Sequence, residues 1–141
     1  MAALVVVDTG PLVAALRSRD RDHAWSRAQL ESLIDPLATC EAVLSEAIFL
    51  LDQHHGSGDL IMGLVEQGVV EPAFSLKEHA SLVAGMLKRY RNIPMSLADA
   101  CLVRMSELLP GSTLLTLDGD FRVYRRHNRT VVPARMPTDG P

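Results

Sequence analysis

Apolar runs and helical apolar patterns alternate along this chain, with turn residues between them. Residues 4–7 form a continuous, mostly β-branched run, which is typical of a strand buried on both faces. Further strands are predicted at 37–38, 69–74, 112–118 and 130–133, the second of them interrupted by a proline that limits its pairing. Strands that alternate with helices predict α/β architecture, a three-layer α/β/α sandwich with a mainly parallel central sheet.

Helical periodicity and capping residues place helices between these strands. Pro11 stands where a first helix begins, because its fixed φ suits a first turn. Ser75 with Glu78, and Ser96 with Asp99, have the spacing of capping boxes. The remaining predicted helices are residues 23–34, a long helix capped by Thr39 and ending near His54, a helix from Asp59 to Gln67, and the short segment 121–127.

The chain has 141 residues, of which 48% are hydrophobic and 22% charged. This balance suits one globular domain, which we assign to residues 1–134. The segment 135–141 contains prolines and a glycine, and we predict that it is a disordered tail. Cys40 and Cys101 lie in apolar helical patterns without a Cys-x-x-Cys pair, so we expect buried, reduced thiols.

The net charge of −3 is mild. A protein that binds nucleic acid by charge alone is usually basic, so such a role here needs a basic patch or a bridging cation. No apolar run reaches the roughly 20 residues of a membrane span. The N-terminus lacks the basic region and cleavage site of a signal peptide. The sequence predicts a cytoplasmic protein with no membrane contact.

The motif Asp8-Thr9-Gly10 after the first strand raises the question of an aspartic protease. Such a protease needs a twin carboxylate across a pseudo-symmetric β core, which the predicted helices do not supply. Gly10 is better explained by a tight turn from strand to helix. Phosphatases of the haloacid dehalogenase type also place an aspartate after their first strand. They need a second aspartate two residues later, where this chain has Gly10.

Four acidic residues are expected to meet at one edge of the sheet. Asp8 and Asp118 each follow a strand, and ligands collect at the carboxyl ends of parallel strands. Glu46 and Asp99 lie among apolar neighbours on helices, where an unpaired carboxylate is costly or becomes protonated. Purely structural roles stay open: an ion pair with arginine for Glu46, helix capping for Asp8 and Asp99, and turn chemistry for Asp118 and Asp120.

A cluster of carboxylates with few basic residues nearby repels itself, and a divalent cation resolves that repulsion. Ligation by oxygen atoms alone is what Mg²⁺ and Mn²⁺ prefer. These ions also orient and activate water for attack on a phosphodiester. The sequence therefore predicts a Mg²⁺ or Mn²⁺ site formed by Asp8, Glu46, Asp99 and Asp118.

The order and spacing of these acids resemble the PIN domain, the ribonuclease fold of the VapC toxins of prokaryotic toxin–antitoxin pairs. The resemblance spans residues 5–132, and its motifs are VVVDTGPLVA with Asp8, VLSEAIFLL with Glu46, PMSLADACLV with Asp99 and TLDGDF with Asp118. It implies a Mg²⁺- or Mn²⁺-dependent endoribonuclease, usually a homodimer. It further implies a cognate antitoxin whose C-terminal segment fills the acidic groove and holds the enzyme inactive.

The resemblance also implies catalytic roles. The carboxylates would position metal and water for in-line attack that leaves a 5′-phosphate and a 3′-hydroxyl. Asp8, Asp99 and Asp118 would bind metal directly or through water, and Glu46 would bind metal or orient the attacking water. Three further residues are expected to support the site by hydrogen bonding or as a substitute fourth acid: Thr9, Thr116 and Asp120.

RNA that approaches an acidic groove needs cations nearby, because phosphate contacts supply much of its affinity. The candidates follow the first helix or lie beside the last acid: Arg17, Arg19, Arg21, Arg122, Arg125 and Arg126. Each could equally be a solvated surface arginine. A second hypothesis is a PIN-like binding or regulatory module with weak or no catalysis, suggested by the acidic balance of the chain.

Overall fold

A computed structural model of the protein describes residues 4–53 and 56–139. The strands are β1 (Val5–Val7), β2 (Leu37–Thr39), β3 (Val70–Pro72), β4 (Thr113–Leu115), β5 (Arg125–Arg126), β6 (Thr130–Val131) and β7 (Ala134–Arg135). The α-helices are α1 (Thr9–Leu16), α2 (His23–Glu31), α3 (Glu41–Asp52), α4 (Asp59–Glu66), α5 (Leu76–Arg89) and α6 (Leu97–Leu108). The described residues also form two 3-10 helices, Gly119–Arg122 between β4 and β5 and Pro137–Asp139 after β7.

The central sheet has five strands in the order β3-β2-β1-β4-β7, and every neighbouring pair is parallel. Val6 of β1 lies opposite Ala38 of β2 on one side and Leu114 of β4 on the other. Helices flank this sheet, so the predicted α/β/α sandwich with a mainly parallel sheet is confirmed.

The core forms where the middle strands meet the helices. Val6 and Val7 are buried, as the continuous apolar run of β1 predicts for a strand covered on both faces. Helix α1 packs against α2 and α3, and α5 packs against α6. The two cysteines are free and buried, as predicted. No helix in the described part of the chain is long and apolar enough to cross a bilayer.

Several helix starts differ from the prediction. Thr39 ends β2, and its hydroxyl donates to the carbonyl oxygen of Val7 at 2.8 Å, so it does not cap α3, which Cys40 precedes. Asp59 is the first residue of α4 rather than its cap. Ser75 precedes α5 without a capping hydrogen bond from its side chain. The capping box of Ser96 and Asp99 is present at α6.

Two helix ends also differ. Helix α2 ends at Glu31 instead of Ile34, and Ile34, an apolar residue at the end of the predicted helix, is 96% exposed. Helix α3 ends at Asp52, and the predicted end near His54 lies outside the described residues. Apolar periodicity continued past the point where the helix stops, so it overestimated the length of α2.

Gly10 is needed for close packing rather than for a turn. It is the second residue of α1, and a Cβ atom at this position would lie 3.1 Å from the Leu117 side chain. That distance is shorter than an ordinary van der Waals contact. The segment after β4 therefore approaches the start of α1 closely because residue 10 has no side chain.

The predicted short helix at 121–127 is wrong. After the 3-10 helix Gly119–Arg122 the chain turns into β5, which pairs antiparallel with β6. His127 and Asn128 have positive φ angles of 49° and 59°, which places both in the left-handed region of a tight hairpin turn. Residues 130–131 of the predicted strand at 130–133 thus form β6 of this hairpin, while the Pro133 carbonyl accepts from the Leu114 N–H and begins the pairing of β4 with β7.

The prediction of a disordered tail from residue 135 is wrong for residues 135–139. Strand β7 pairs with β4, and the Arg122 guanidinium donates to the Asp139 carboxylate at 2.9 Å. Backbone pairing at the sheet edge orders a segment whose proline-rich composition suggested disorder. Residues 140–141 lie outside the described part of the chain.

Helix α6 provides a matched test of this core. Leu102 is fully buried and Leu108 is 42% exposed on the same helix. We expect Leu102→Ala to lower the free energy of unfolding by about 2–5 kcal/mol because it leaves a cavity. Leu108→Ala should cost no more than about 1 kcal/mol. Urea denaturation of both variants measures the difference, and equal losses would contradict this packing.

Candidate functional site

An open groove of about 530 Å³ lies at the carboxyl edge of the sheet. The four predicted acids all line it: Asp8, Glu46, Asp99 and Asp118. They come from the ends of two adjacent strands and from two helices, so residues as far apart in sequence as 8 and 118 share one surface. The structure thus brings the predicted site residues together, while their chemical roles remain predictions.

Asp8 lies at the base of this groove, directly after β1, and is 6% exposed. Its Oδ1 accepts a hydrogen bond from the Thr9 backbone N–H at 2.7 Å, so it does cap α1. Its Oδ2 accepts one from the Thr116 hydroxyl, also at 2.7 Å. The same carboxylate therefore caps α1 and lines the groove.

Thr116 joins the two strand-end acids. Besides donating to Asp8, its Oγ1 accepts a hydrogen bond from the Asp118 backbone N–H at 3.0 Å. The Asp118 Oδ1 in turn accepts from the Asp120 backbone N–H at 2.9 Å, which is the turn chemistry expected of Asp-Gly-Asp. Asp118 lines the groove and Asp120 does not, so geometry favours Asp118 as the fourth acid.

Glu46 lies on the second turn of α3 and is exposed rather than buried among its apolar neighbours. Phe49, one turn further along, is also exposed. The Thr9 hydroxyl donates to Glu46 Oε2 at 3.2 Å and links α3 to the start of α1. The sequence expectation of an inward-aimed Glu46 is therefore corrected, because this face of α3 forms the rim of the groove.

Asp99 is held from two sides in the first turn of α6. The Ser96 backbone N–H donates to its Oδ2 at 3.2 Å, and Ser96 Oγ accepts from the Asp99 N–H at 3.0 Å. The Tyr124 hydroxyl donates to the same Oδ2 at 3.0 Å. The second carboxylate oxygen, Oδ1, accepts no hydrogen bond from the described residues.

Burial and the charges of neighbouring acids oppose ionisation of Asp8 and Asp99. Burial raises the pKa of Asp8 to about 6, against the lowering effect of the Thr116 and Thr9 hydrogen bonds, with Asp99 and Glu46 adding repulsion. Burial likewise raises the pKa of Asp99, and the charge of Asp118 adds to that effect. Within residues 4–53 and 56–139, no lysine, arginine or histidine forms an ion pair with any of the four acids.

The donor set fits a hard divalent cation. Its ligands would be carboxylate oxygens alone, which suits Mg²⁺ or Mn²⁺, and the positive charge would offset the repulsion. Across the described residues, no three acidic, histidine or cysteine side chains are gathered closely enough to hold an ion as they stand. With the carboxylates in these positions, an ion would be held partly through bridging water molecules, which Mg²⁺ usually keeps.

The predicted RNA-contact arginines differ in their exposure and in the contacts that they make within the protein. Arg122 is engaged with the C-terminal segment, and Arg125 donates to the backbone carbonyls of residues 122, 123 and 124. Arg21 lies 3.5 Å from the Asp22 carboxylate. Arg19 is exposed, while Arg17 and Arg126 are half-buried. Their role in RNA contact remains a prediction.

Tyr124, which lies in the segment predicted to be helical, was not among the residues that the sequence pattern indicated. It is completely buried, yet its hydroxyl contacts an acid of the groove. Leu50 and Leu117, which also line the groove, were likewise missed. The one signal available was a tyrosine six residues after Asp118, and spacing alone does not show which way its side chain points.

A larger cavity of about 890 Å³ lies between α2 and β7. Trp25, Gln29 and Arg135 are among its lining residues, and its one carboxylate, Asp139, is already paired with Arg122. Volume alone would make this cavity the first candidate for a functional site. The chemistry favours the smaller groove, since four unpaired acids converge there.

The fold and the carboxylate groove together are those of a nuclease domain. The sequence matches the model of the PIN domain over residues 5–126. The chain therefore belongs to the PIN domain family, a family of nucleases. This excludes the aspartic protease and the haloacid-dehalogenase-type phosphatase weighed from the sequence.

Comparison with solved structures supports the same fold. The crystal structure of Mycobacterium tuberculosis VapC20, described as a sarcin-ricin loop cleaving toxin, superimposes with a TM-score of 0.74. It is 20% identical in sequence, and the match covers 84% of this chain and 93% of that one. A comparison with curated proteins finds no significant match.

The raised pKa of Asp8 predicts how stability depends on pH in metal-free protein. Between its ordinary value of 3.8 and about 6, the folded protein keeps a proton that the unfolded chain has released. Stability is therefore lost as pH rises through this window. Asp8→Asn removes the effect, so its free energy of unfolding minus that of the wild type should increase by about 2–3 kcal/mol from about pH 4 to about pH 7.

Urea denaturation of both proteins across this pH range, with chelator present, measures the difference. Asp8→Asn is suitable because its side-chain oxygen can still accept the hydrogen bond from the Thr9 N–H. Parallel pH profiles for the two proteins would show that burial does not disfavour the ionised form of Asp8.

Proposed function

We propose that this protein is a Mg²⁺- or Mn²⁺-dependent endoribonuclease that acts as the toxin of a toxin–antitoxin pair. The observation that carries the proposal is the groove at the carboxyl edge of a PIN fold, lined by four acids that have no ion-pair partner among the described residues. An anionic groove does not attract RNA by itself. A divalent cation makes it able to bind a phosphate.

Asp8, Asp99 and Asp118 hold the ion in this proposal, directly or through water. When bound, the ion supplies positive charge that favours ionisation of water and offsets the charge that builds on the phosphate. Thr116 orients two of these acids at once, since its hydroxyl donates to Asp8 and accepts from the Asp118 backbone. This network restrains the Asp8 carboxylate and the backbone at Asp118 before an ion binds.

Glu46 orients the attacking water and accepts a proton from it. Its position suits this role, because it is exposed at the rim and its Oε2 is held by Thr9, while Oε1 accepts no hydrogen bond from the described residues. Water then attacks phosphorus in line with the bond to O3′. The bond between phosphorus and O3′ breaks and O3′ takes up a proton from solvent, so the products carry a 5′-phosphate and a 3′-hydroxyl.

The RNA backbone needs cationic contacts outside the groove. Arg19 is the most available of the predicted arginines, because it is exposed and its guanidinium pairs with no acid among the described residues. Arg122 and Arg125 serve the fold instead, through the C-terminal segment and the backbone around the 3-10 helix.

The partners follow from the same proposal. VapC20, which shares the fold, is described as cleaving the sarcin-ricin loop, and this supports RNA as the substrate class here. We expect a cognate antitoxin whose C-terminal segment enters the acidic groove, and a homodimer as the active form. Because substrate and antitoxin would meet in the cytoplasm, we expect the protein to act there.

The direct test is RNA cleavage by purified protein in Mg²⁺ or Mn²⁺. Asp8→Asn and Asp99→Asn should each lower the rate about 100-fold or more, because displaced ligands misplace the reacting groups. Chelator should abolish cleavage, and added Mn²⁺ should restore it. Gel analysis of end-labelled RNA measures the rate and identifies the 5′-phosphate.

Glu66→Gln is the matched control, since Glu66 is an exposed acid of α4 that does not line the groove. It should cleave like the wild type. Equal cleavage by all variants would identify a contaminating nuclease. Binding of Mn²⁺ without cleavage of any RNA would favour the alternative, a PIN-like binding or regulatory module.

A further inference from the structure

We propose that Tyr124 is a positioning residue that fixes the Asp99 carboxylate so that its free oxygen, Oδ1, faces the metal. This inference rests on the proposed function, because it concerns the same acidic groove. Tyr124 is not in contact with substrate or metal in this proposal. It acts through the hydrogen bond from its hydroxyl to Asp99 Oδ2 at 3.0 Å.

The tyrosine ring is rigidly held. Tyr124 is completely buried, and its ring packs edge-on against Tyr90 and Phe121, with centroid distances of 5.1 and 5.2 Å. Phe121 belongs to the 3-10 helix that follows Asp118, and Tyr90 follows α5. The hydroxyl therefore has little freedom to leave Asp99, and it couples the first turn of α6 to the segment that carries Asp118.

Helix capping does not account for this contact. The capping box at α6 is complete through Ser96, whose backbone N–H and side chain both bond to Asp99. A phenylalanine would fill the same space in the aromatic cluster without a buried hydroxyl that requires a partner. Neither the packing of the cluster nor the capping of α6 therefore requires the hydroxyl. Its effect is to fix the orientation of the Asp99 carboxylate.

Fixing this carboxylate matters for metal binding. Oδ2 already accepts two hydrogen bonds, from Tyr124 and from the Ser96 backbone, which leaves Oδ1 as the oxygen without a described donor. Groups that hydrogen-bond a metal-binding carboxylate orient it, and their loss typically costs about 10- to 100-fold in metal affinity. Without the phenol, only Ser96 would restrain rotation of the Asp99 side chain.

The experiment is a titration of Mn²⁺ into the chelator-treated protein, measured by isothermal titration calorimetry. Tyr124→Phe should bind Mn²⁺ about tenfold more weakly than the wild type and still unfold in one cooperative thermal transition. Tyr90→Phe is the matched control. It removes a hydroxyl from the same aromatic cluster, but that hydroxyl accepts from the Arg125 backbone and contacts no acid of the groove.

The outcomes are distinguishable. Wild-type affinity in Tyr124→Phe, or an equal loss in Tyr90→Phe, would overturn the positioning role and leave the proposed function standing. A wild-type protein that binds no Mn²⁺ would overturn both. Weaker binding confined to Tyr124→Phe, with RNA cleavage restored at higher Mn²⁺ concentration, would establish the role.

Discussion

The register of β1 against β4 is the constraint on which the groove depends. Val7 lies opposite Leu115, and the Asp8 N–H donates to the Leu115 carbonyl at 3.0 Å. The next residues along the two strands, Asp8 and Thr116, are therefore neighbours and hydrogen-bond at 2.7 Å. A shift of one residue would turn these side chains to the opposite face and separate Asp8 from the segment that carries Asp118.

Structural and chemical roles coincide in the same acids. Asp8 caps α1 and Asp99 completes a capping box, yet both also line the groove. A cap uses only part of the hydrogen-bonding capacity of a carboxylate, so lone pairs remain for a cation. Burial of these acids raises the pKa of each and opposes their ionisation, which makes a divalent cation the natural counter-charge.

Local patterns in the sequence predicted the parts of the molecule that local chemistry determines. The buried strand β1, the acids at strand ends and the Ser96 capping box are all of this kind. The hairpin β5–β6, the pairing of β7 and the contact from Tyr124 to Asp99 depend on residues distant in sequence, and no periodicity marks them. Glu46 was misjudged because its apolar neighbours include Phe49, which is 61% exposed.

The proposed chemistry requires that Asp8, Asp99 and Asp118, with Glu46 at the rim, form one divalent-cation site. Anomalous X-ray diffraction from crystals grown with Mn²⁺ is the decisive measurement, because it locates the ion without assuming its ligands. We expect an anomalous peak in the groove within ligation distance of these carboxylates. A Mn²⁺-saturated crystal with its peaks elsewhere, and with Glu46 and Asp99 paired to arginines, would contradict the proposed metal site.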